Sequence, residues 1–206
     1  MKRVAGIATI KGREESLQDT IDSLSDQMDE IHVFNGDEQG DSAKFNAYRR
    51  YCHYFSCDDD LIYPPDYADR MIECYDRHSG SIITCHGRKF IPPISNYYKN
   101  GVKYHCLAAV EEDTIVDCGG TGVMMFTGQL NIDTSKWIHK NMADIWIAIH
   151  ARQREVPIVV MKHYMGWIQH SNKFDLNLTI HSQSVNNCEI QTQLINTIKW
   201  QSTLTS

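Results

Sequence analysis

The sequence lacks the features that identify membrane proteins, disulfide-rich secreted proteins and structural zinc proteins. It has no run approaching the ~18 consecutive uncharged apolar residues of a transmembrane helix. Its seven cysteines are odd in number and form no CxxC pair, which favours a reducing compartment over a disulfide framework or a structural zinc site. We therefore expect a cytoplasmic protein without a membrane span, and we interpret the sequon Asn177-Leu178-Thr179 as a chance match.

Further absences restrict the chemistry. There is no HExxH motif, and the stretch Gly119-Gly120-Thr121-Gly122 is not followed by the Lys-Ser/Thr of a phosphate loop. The net charge of −6 gives no general attraction for nucleic acid, although a local basic patch stays possible. Repeats, low-complexity tracts and linkers are also missing, and 206 residues suit one substantial core. We therefore predict a single domain over residues 1–206.

Short apolar runs alternate with amphipathic stretches over the first 86 residues. The run VAGIATI is too short for a signal peptide and predicts a buried strand. The pattern predicts strands at 4–10, 31–34, 54–57 and 81–85 and helices at 17–28, 43–51 and 65–78. This alternation predicts an α/β fold, with a Rossmann-like, mostly parallel central sheet that carries helices on both faces.

The alternation breaks at residue 87. The next stretch, to about residue 113, predicts loop and hairpin, since it contains Pro92-Pro93 and Asn100-Gly101. Beyond it the pattern predicts strands at 114–116, 123–126 and 157–161, a helix at 143–154 and a closing helix at 189–200. We therefore expect a mixed second half over 87–170 and a C-terminal extension over 171–206.

Polar side chains follow three of the predicted strands at the point where each strand ends. They lie at Thr9 to Gly12, Asn35 to Asp37 and Asp58 to Asp60. The carboxyl ends of parallel strands meet at one edge of a sheet, where ligands bind. The Asp-x-Asp spacing suits a hard divalent cation, whose other ligands would be water and substrate phosphates. The alternative is a solvated turn in which Asp60 helps to cap the next helix.

Four segments in order carry a family resemblance. VAGIATIKGREESLQDTIDSLSDQMDEIHVFNGD, YFSCDDDLIYPPDYADRMI, GGTGVMMF and NMADIWIAIHARQREVPIV resemble small bacterial and phage family 2 glycosyltransferases, over roughly residues 3–168. The resemblance implies the GT-A fold, with a nucleotide-sugar-binding half at 1–86 and an acceptor-binding, catalytic half at 87–170. It also implies a nucleotide-diphosphate-sugar donor, a UDP-sugar first, and Mn²⁺ or Mg²⁺ as cofactor.

The resemblance assigns roles on the donor side. Thr9 and Arg13 would flank the nucleoside, and Lys44 would reach the nucleotide. Asn35 and Asp37 stand where the family contacts the base, although the family has an acidic residue at the first position. Asp58 would bind the ribose or a metal-bound water, Asp59 the nucleotide sugar and Asp60 the metal. Gly120 and Thr121 would contact the sugar or the acceptor. His163 would complete the metal shell, with His170 as the weaker candidate.

Asp144 matches the family's general base. In an inverting reaction its carboxylate takes the proton from an acceptor hydroxyl as that oxygen attacks the anomeric carbon. The alternative is structural, because residues 141–144 resemble a helix N-cap followed by an acidic residue at N3. Trp167 either stacks on a sugar ring or packs in the core, and packing is favoured.

The acceptor is the least constrained prediction. Basic and aromatic residues interleave over 86–113, where the family builds its acceptor face, and such a surface suits sugar rings or nucleobases. A glycan acceptor is favoured, and a hydroxymethylated pyrimidine in DNA is the alternative. A non-catalytic nucleotide-sugar-binding module stays open, whereas a sugar-phosphate nucleotidyltransferase would need more glycine after the first strand. The residues that compose this segment's pattern are Arg88, Lys89, Tyr97, Tyr98, Lys99, Lys103, Tyr104 and His105.

Overall fold

The structure is a computed structural model that describes residues 1–173, Ile180 and residues 188–200. The sequon at 177–179 lies outside the described residues, as does most of the predicted extension. None of the helices in the described part of the chain is long and apolar enough to cross a membrane.

The elements follow one another with short connections. Along the described chain they are β1 (Arg3–Thr9), α1 (Glu14–Leu24), β2 (Glu30–Asn35), a 3₁₀ helix (Gly40–Ala47), β3 (His53–Asp58), β4 (Leu61–Ile62), α2 (Tyr67–Arg77), β5 (Ile82–Thr84), β6 (Gly87–Lys89), β7 (Val102–Tyr104), β8 (Thr114–Val116), β9 (Cys118–Gly119), β10 (Val123–Phe126), a second 3₁₀ helix (Thr134–Lys136), α3 (Ala143–Gln153), β11 (Ile158–Val160), β12 (Gln169–His170) and α4 (Glu189–Ile195).

A seven-stranded sheet in the order β2-β1-β3-β10-β5-β11-β8 forms the centre of the molecule. β1 is parallel to β2 and β3, and β5 is parallel to β11. β10 is antiparallel to both of its neighbours, and β8 is antiparallel to β11. The predicted α/β class is therefore confirmed, in a mixed sheet in which β1, β2, β3, β5 and β11 share one direction.

Alternate residues of the strands pack on opposite faces of this sheet, as strand geometry requires. On one face Phe55 and Cys57 pack with α1 and α2 in one hydrophobic cluster. On the other face Tyr54 packs with Phe45 of the 3₁₀ helix and with Ile147 of α3. Helices therefore cover both faces, as the alternation of strands and helices predicts.

Helix α3 is buried on two sides. Ala143, Ile147 and Ala151 face the sheet, whereas Ile145 and Ile149 belong to a third cluster with α4 and the loop between β6 and β7. This double packing explains a helix that is apolar nearly all round. It fixes the start of α3, where Asp144 lies.

Four predicted helices differ from the structure. The one predicted at 17–28 is Glu14–Leu24, and the closing helix predicted at 189–200 ends at Ile195. The segment predicted as a helix over 43–51 is a 3₁₀ helix that ends at Ala47, because Tyr48 turns into an extended conformation and donates its hydroxyl to Leu130 O at 2.8 Å. The helix predicted from Pro65 begins at Tyr67. Asp60 lies well before this start and does not cap it, so the alternative role of Asp60 as a helix cap is wrong.

Candidate functional site

Polar side chains from both halves of the chain line one cleft at the carboxyl ends of β1, β2 and β3. The cleft has a volume of about 760 Å³. Residues from the β6–β7 hairpin, the β9–β10 turn and the start of α3 close its other side. Of the site residues predicted from the sequence, those that line it are Thr9, Arg13, Asp37, Lys44, Asp58, Asp59, Asp60, Gly120, Thr121, Asp144 and His170.

Asp59 and Arg13 form a buried ion pair beneath the cleft. Arg13 Nη1 donates to Asp59 Oδ1 at 2.8 Å, and the Asp59 side chain is 3% exposed. Asp59 Oδ2 is also buried and accepts no hydrogen bond within the described part of the chain. Because burial of one charge without its partner is costly, this pair fixes α1 to the end of β3. Asp59 therefore has a supporting position, deeper than the direct contact with the sugar nucleotide that the resemblance implies.

Lys44 lies under Asp58 at the end of β3. Lys44 is 2% exposed, and its Nζ donates to Asp58 Oδ1 in a short hydrogen bond. Burial alone lowers the pKa of Lys44, but the carboxylates of Asp58 and Asp41 outweigh it, so the net pKa is raised and the side chain is a cation. Gly122 is required here, because a Cβ at that position would lie 1.8 Å from Asp58 Oδ2.

Asp60 differs from its two neighbours in the run, because Asp58 is paired with Lys44 and Asp59 with Arg13. Its carboxylate lines the cleft, and no residue in the described ranges donates a hydrogen bond to that carboxylate. Burial, together with the charges of Asp58 and Asp59, raises the pKa of Asp60 to about 7. A cation at this position would relieve the repulsion among the three carboxylates, and oxygen ligands suit Mg²⁺ or Mn²⁺.

Asp144 lies in the first turn of α3 and faces the cleft. The Tyr97 hydroxyl donates to Asp144 Oδ2 in a short hydrogen bond, and Ile145 N donates to Oδ1 at 2.9 Å. The Arg88 guanidinium lies over the Tyr97 ring, 4.2 Å from its centre. Tyr97 and Arg88 were predicted only as parts of the acceptor face. Their contacts orient the carboxylate that the family resemblance predicts to be the base.

Asp41 is a functional candidate that the sequence did not indicate. Its Oδ2 accepts a hydrogen bond from Ala143 N at 3.2 Å, and its own N–H donates to Asn141 Oδ1 at 3.1 Å. Asp41 therefore caps α3 from a distant part of the chain, and the predicted cap at Asn141 is wrong. Burial raises the pKa of Asp41 to about 7, against the opposing effect of Lys44.

Two predicted residues are not brought to the cleft. His163 is 2% exposed, its Nδ1 lies 2.7 Å from Met161 O, and its Nε2 lies 3.5 Å from His105 O. It cannot complete a metal shell at Asp60 in this arrangement, whereas His170 lines the cleft on β12, which pairs with β4 beside Asp60. Asn35 is turned to the surface, where its Oδ1 accepts from Asp37 N at 2.8 Å.

The glycine-rich turn makes room for side chains of the site. A Cβ at Gly120 would lie 3.0 Å from His86 Cβ, as one at Gly122 would meet Asp58. Thr121 is 5% exposed, and its carbonyl accepts from Ser56 Oγ at 2.6 Å. Gly120 and Thr121 both line the cleft, so their contact with the sugar or acceptor stays a prediction beside this local steric role.

Two observations complete the site. Among the described lining residues, six carboxylic acids (Asp37, Asp41, Asp58, Asp59, Asp60 and Asp144) face four basic side chains (Arg13, Lys44, Arg88 and Lys103), so the cleft has an excess of negative charge. Trp167 is 3% exposed and donates from Nε1 to Asp66 Oδ1 at 2.9 Å. It lies outside the described lining of the cleft, so packing is its role.

No protein-family model matches the chain, and no curated protein resembles it at a significant level. The assignment of a function therefore depends on the geometry and charges of this cleft.

Proposed function

We propose that the chain is a metal-dependent, inverting glycosyltransferase of the GT-A type that moves a sugar from a nucleotide-diphosphate sugar to a hydroxyl group of a glycan. The observation that carries this proposal is the meeting, in one cleft, of the Asp58–Asp60 run with Asp144. The first supplies oxygen ligands near a diphosphate, and the second supplies a carboxylate that can accept a proton.

The donor side of the cleft suits a cation with a nucleotide diphosphate. Asp60 and Asp58 would hold the ion, and His170, whose Nδ1 lies 3.4 Å from Asp60 O, is the histidine candidate for its shell. When bound, a divalent ion neutralises the charge that develops on a departing diphosphate. Arg13 and Lys44 do not compete for the role of that ion, because each is committed to an aspartate of the run.

Asp144 suits the role of general base. A hydroxyl nucleophile must lose its proton as it attacks, and a carboxylate within hydrogen-bond reach accepts that proton. Tyr97 and the backbone of Ile145 hold the Asp144 carboxylate in one orientation, and Asp41 secures the end of the helix that carries it. A UDP-sugar is the proposed donor.

The charge of the cleft favours a glycan over DNA as the acceptor. Carboxylic acids outnumber basic side chains among the described lining residues. A polyanion such as DNA would need neutralisation of its phosphates by lysine and arginine, whereas the hydroxyl groups of a neutral sugar need none.

The decisive experiment is a matrix of donors and acceptors. The protein is incubated with several nucleotide sugars and Mn²⁺, and transfer to glycans and to hydroxymethyl-pyrimidine DNA is scored by mass spectrometry. We expect transfer to a glycan and release of the nucleoside diphosphate. Transfer only to modified DNA would overturn the acceptor assignment, and metal and nucleotide binding without any turnover would indicate a binding module.

Metal binding gives a second test. Since two aspartates alone cannot satisfy a divalent ion, we expect calorimetry to show much tighter Mn²⁺ binding when a nucleoside diphosphate is present. Equal affinity with and without the nucleotide would contradict a shared site.

A further inference from the structure

Two histidines and a cysteine meet in the wall of the cleft, and the charges of Asp58 and Asp60 act on the cysteine. They are His86, which follows β5, and His105 and Cys106, which follow β7. One ring nitrogen of each histidine and the Cys106 Sγ all lie within 4.8 Å of one another. All three residues line the cleft.

The β6–β7 hairpin brings these residues together. The two strands are antiparallel with Gly87 opposite Tyr104, so His86 and His105 are next in register at the end of the ladder. Their ring centres lie 4.7 Å apart. Gly120 leaves space for the His86 ring, because a Cβ there would lie 3.2 Å from His86 Cδ2. The backbone therefore fixes this grouping.

The chemistry of the group differs from that of the aspartate run. Imidazole nitrogen and thiolate sulfur select zinc and similar ions, whereas carboxylate oxygens select Mg²⁺ and Mn²⁺. Ligand atoms around tetrahedral zinc lie about 3.3–3.7 Å apart, given Zn–N of about 2.0 Å and Zn–S of about 2.3 Å. The three ligand atoms lie within 4.8 Å of one another and would close to that range around an ion; the His105 side chain is exposed, and its Nδ1 accepts from Leu107 N at 3.3 Å.

A second group of similar composition is held together by ion pairs. Cys74, His78 and Asp113 also place their ligand atoms within 4.8 Å of one another. There, however, Arg77 Nη2 donates to Asp113 Oδ2 at 2.9 Å and Lys162 N donates to Oδ1 at 2.9 Å. His78 Nε2 lies 3.0 Å from the same Asp113 Oδ2, so two of the three ligand atoms of that group are engaged with each other.

We propose that His86, His105 and Cys106 bind a zinc-like transition-metal ion, with a fourth coordination position that opens into the cleft. That position accepts a water molecule or an oxygen atom of a ligand in the cleft. Three protein ligands and one open position are the arrangement that zinc adopts where it binds exchangeable ligands. This site uses different ligands from the one at Asp60 and does not depend on glycosyl transfer.

Cobalt substitution tests the proposal on the full chain. Metal-stripped protein is titrated with Co²⁺ without nucleotide, and zinc affinity is measured by competition with a chromophoric chelator. We expect one equivalent of Co²⁺ with a thiolate-to-cobalt charge-transfer band and intense tetrahedral visible bands, both lost when Zn²⁺ is added. An oxygen-only spectrum without the charge-transfer band would overturn the proposal.

Matched variants separate this site from other thiols and from the aspartates. We expect Cys106→Ser and His105→Ala each to weaken zinc binding by more than ~100-fold, since loss of outer-shell partners alone costs about 10–100-fold. Cys188→Ser is the control, because Cys188 and Cys106 are both 7% exposed, and His139→Ala is the histidine control. His105 is exposed, so its variant tests the site even if Cys106→Ser does not fold.

A third arm tells this site from the proposed donor site. Asp60→Asn should leave zinc binding unchanged, and Cys106→Ser should leave nucleotide-dependent Mn²⁺ binding unchanged. Zinc binding that depends on Asp60 and not on Cys106 or His105 would overturn the proposal, whether or not the protein transfers sugar.

Discussion

The two walls of the cleft are built from different interactions. The strand-end wall, formed by Arg13, Lys44 and Asp58 to Asp60, places opposite charges in buried pairs, with Arg13 and Asp59 2.8 Å apart. The hairpin wall, formed by Arg88, Tyr97 and Asp144 with the histidines, uses rings and hydrogen bonds, and Arg88 lies over Tyr97 at 4.2 Å. The first wall fixes charge in space, and the second orients a carboxylate that stays in contact with the cleft.

Because of this difference, we expect substitutions in the two walls to affect different properties, the stability of the fold in one and turnover in the other. Breaking a buried ion pair leaves an uncompensated charge, so substitutions in the strand-end wall should act on folding. A carboxylate that is half-buried at the start of a helix can be neutralised with little structural cost, so Asp144 should act on turnover. The following four substitutions test that division, from the largest effect on free energy to the smallest.

Asp59→Asn should destabilise the fold most. The substitution removes the partner of Arg13 in a pair whose carboxylate is 3% exposed, and we expect a loss of about 3 kcal/mol in the free energy of unfolding. For a chain of this size that loss lowers Tm by roughly 6–12 °C. Thermal denaturation measures it. Asp26→Asn, an exposed aspartate, is the control, and equal Tm shifts in both variants would contradict a supporting role for Asp59.

Asp144→Asn should reduce turnover by about 100-fold or more, or about 2.7 kcal/mol in the activation barrier, because shape is kept and the proton acceptor is lost. Release of nucleoside diphosphate measures turnover, and calorimetry should show unchanged donor binding. Glu189→Gln removes an acidic side chain from the first turn of α4 and controls for the helix dipole. Near-normal turnover in Asp144→Asn would show that Asp144 is not the base and that its charge only stabilises the start of α3.

Asp60→Asn should stabilise the metal-free protein. Burial and the neighbouring carboxylates raise the pKa of Asp60 from 3.8 to about 7, so the folded state disfavours its charge. The Asp60 charge therefore lowers the free energy of unfolding. This destabilisation is absent below about pH 4, grows as pH rises, and is complete above pH 7. We expect a gain of about 1–2 kcal/mol at pH 8 with chelator present, and near-equality with the wild type at pH 4. A variant that is less stable at pH 8 would contradict this account.

Tyr97→Phe should have the smallest effect. The ring and its contact with Arg88 stay, while Asp144 loses one hydrogen bond worth about 1 kcal/mol. We expect turnover to fall about 5-fold with donor affinity unchanged. Tyr48→Phe also loses a hydroxyl hydrogen bond, to Leu130 O, but far from the cleft, so its turnover should stay normal. Equal turnover in the two variants would show that Tyr97 does not orient Asp144.

The sequence predicts the strand-end wall better than the hairpin wall, and the reason is physical. Short apolar runs identify β1 and β3, and parallel strands must bring their carboxyl ends together. Thr9, Asp37 and the Asp58–Asp60 run are therefore correctly grouped by pattern alone. Which aspartate is paired with Arg13 and which faces the cleft depends on side-chain packing, and the pattern does not contain that information.

The wrong predictions concern residues whose positions depend on contacts between distant parts of the chain. Asp41 acts on Ala143, and local sequence around either residue gives no sign of the other. Position along the chain favoured His163, but the pairing of β12 with β4 brings His170 to the cleft instead. The grouping of His86 with His105 depends on the register of β6 and β7. The sequence does not give that register, because it does not show where the loop between the two strands begins and ends.

The burial of every cysteine has a consequence for how the molecule can be observed. All seven thiols are free and buried, so an alkylating reagent can reach them only when the surrounding structure opens. The rate at which each thiol is alkylated thus measures how often the structure around it opens. Cys57, Cys74, Cys85 and Cys106 report on the core beneath α1 and α2, whereas Cys118 reports on the hairpin wall. Mass spectrometry of the native protein during slow labelling would rank these regions by the free energy of opening, without introducing a single probe.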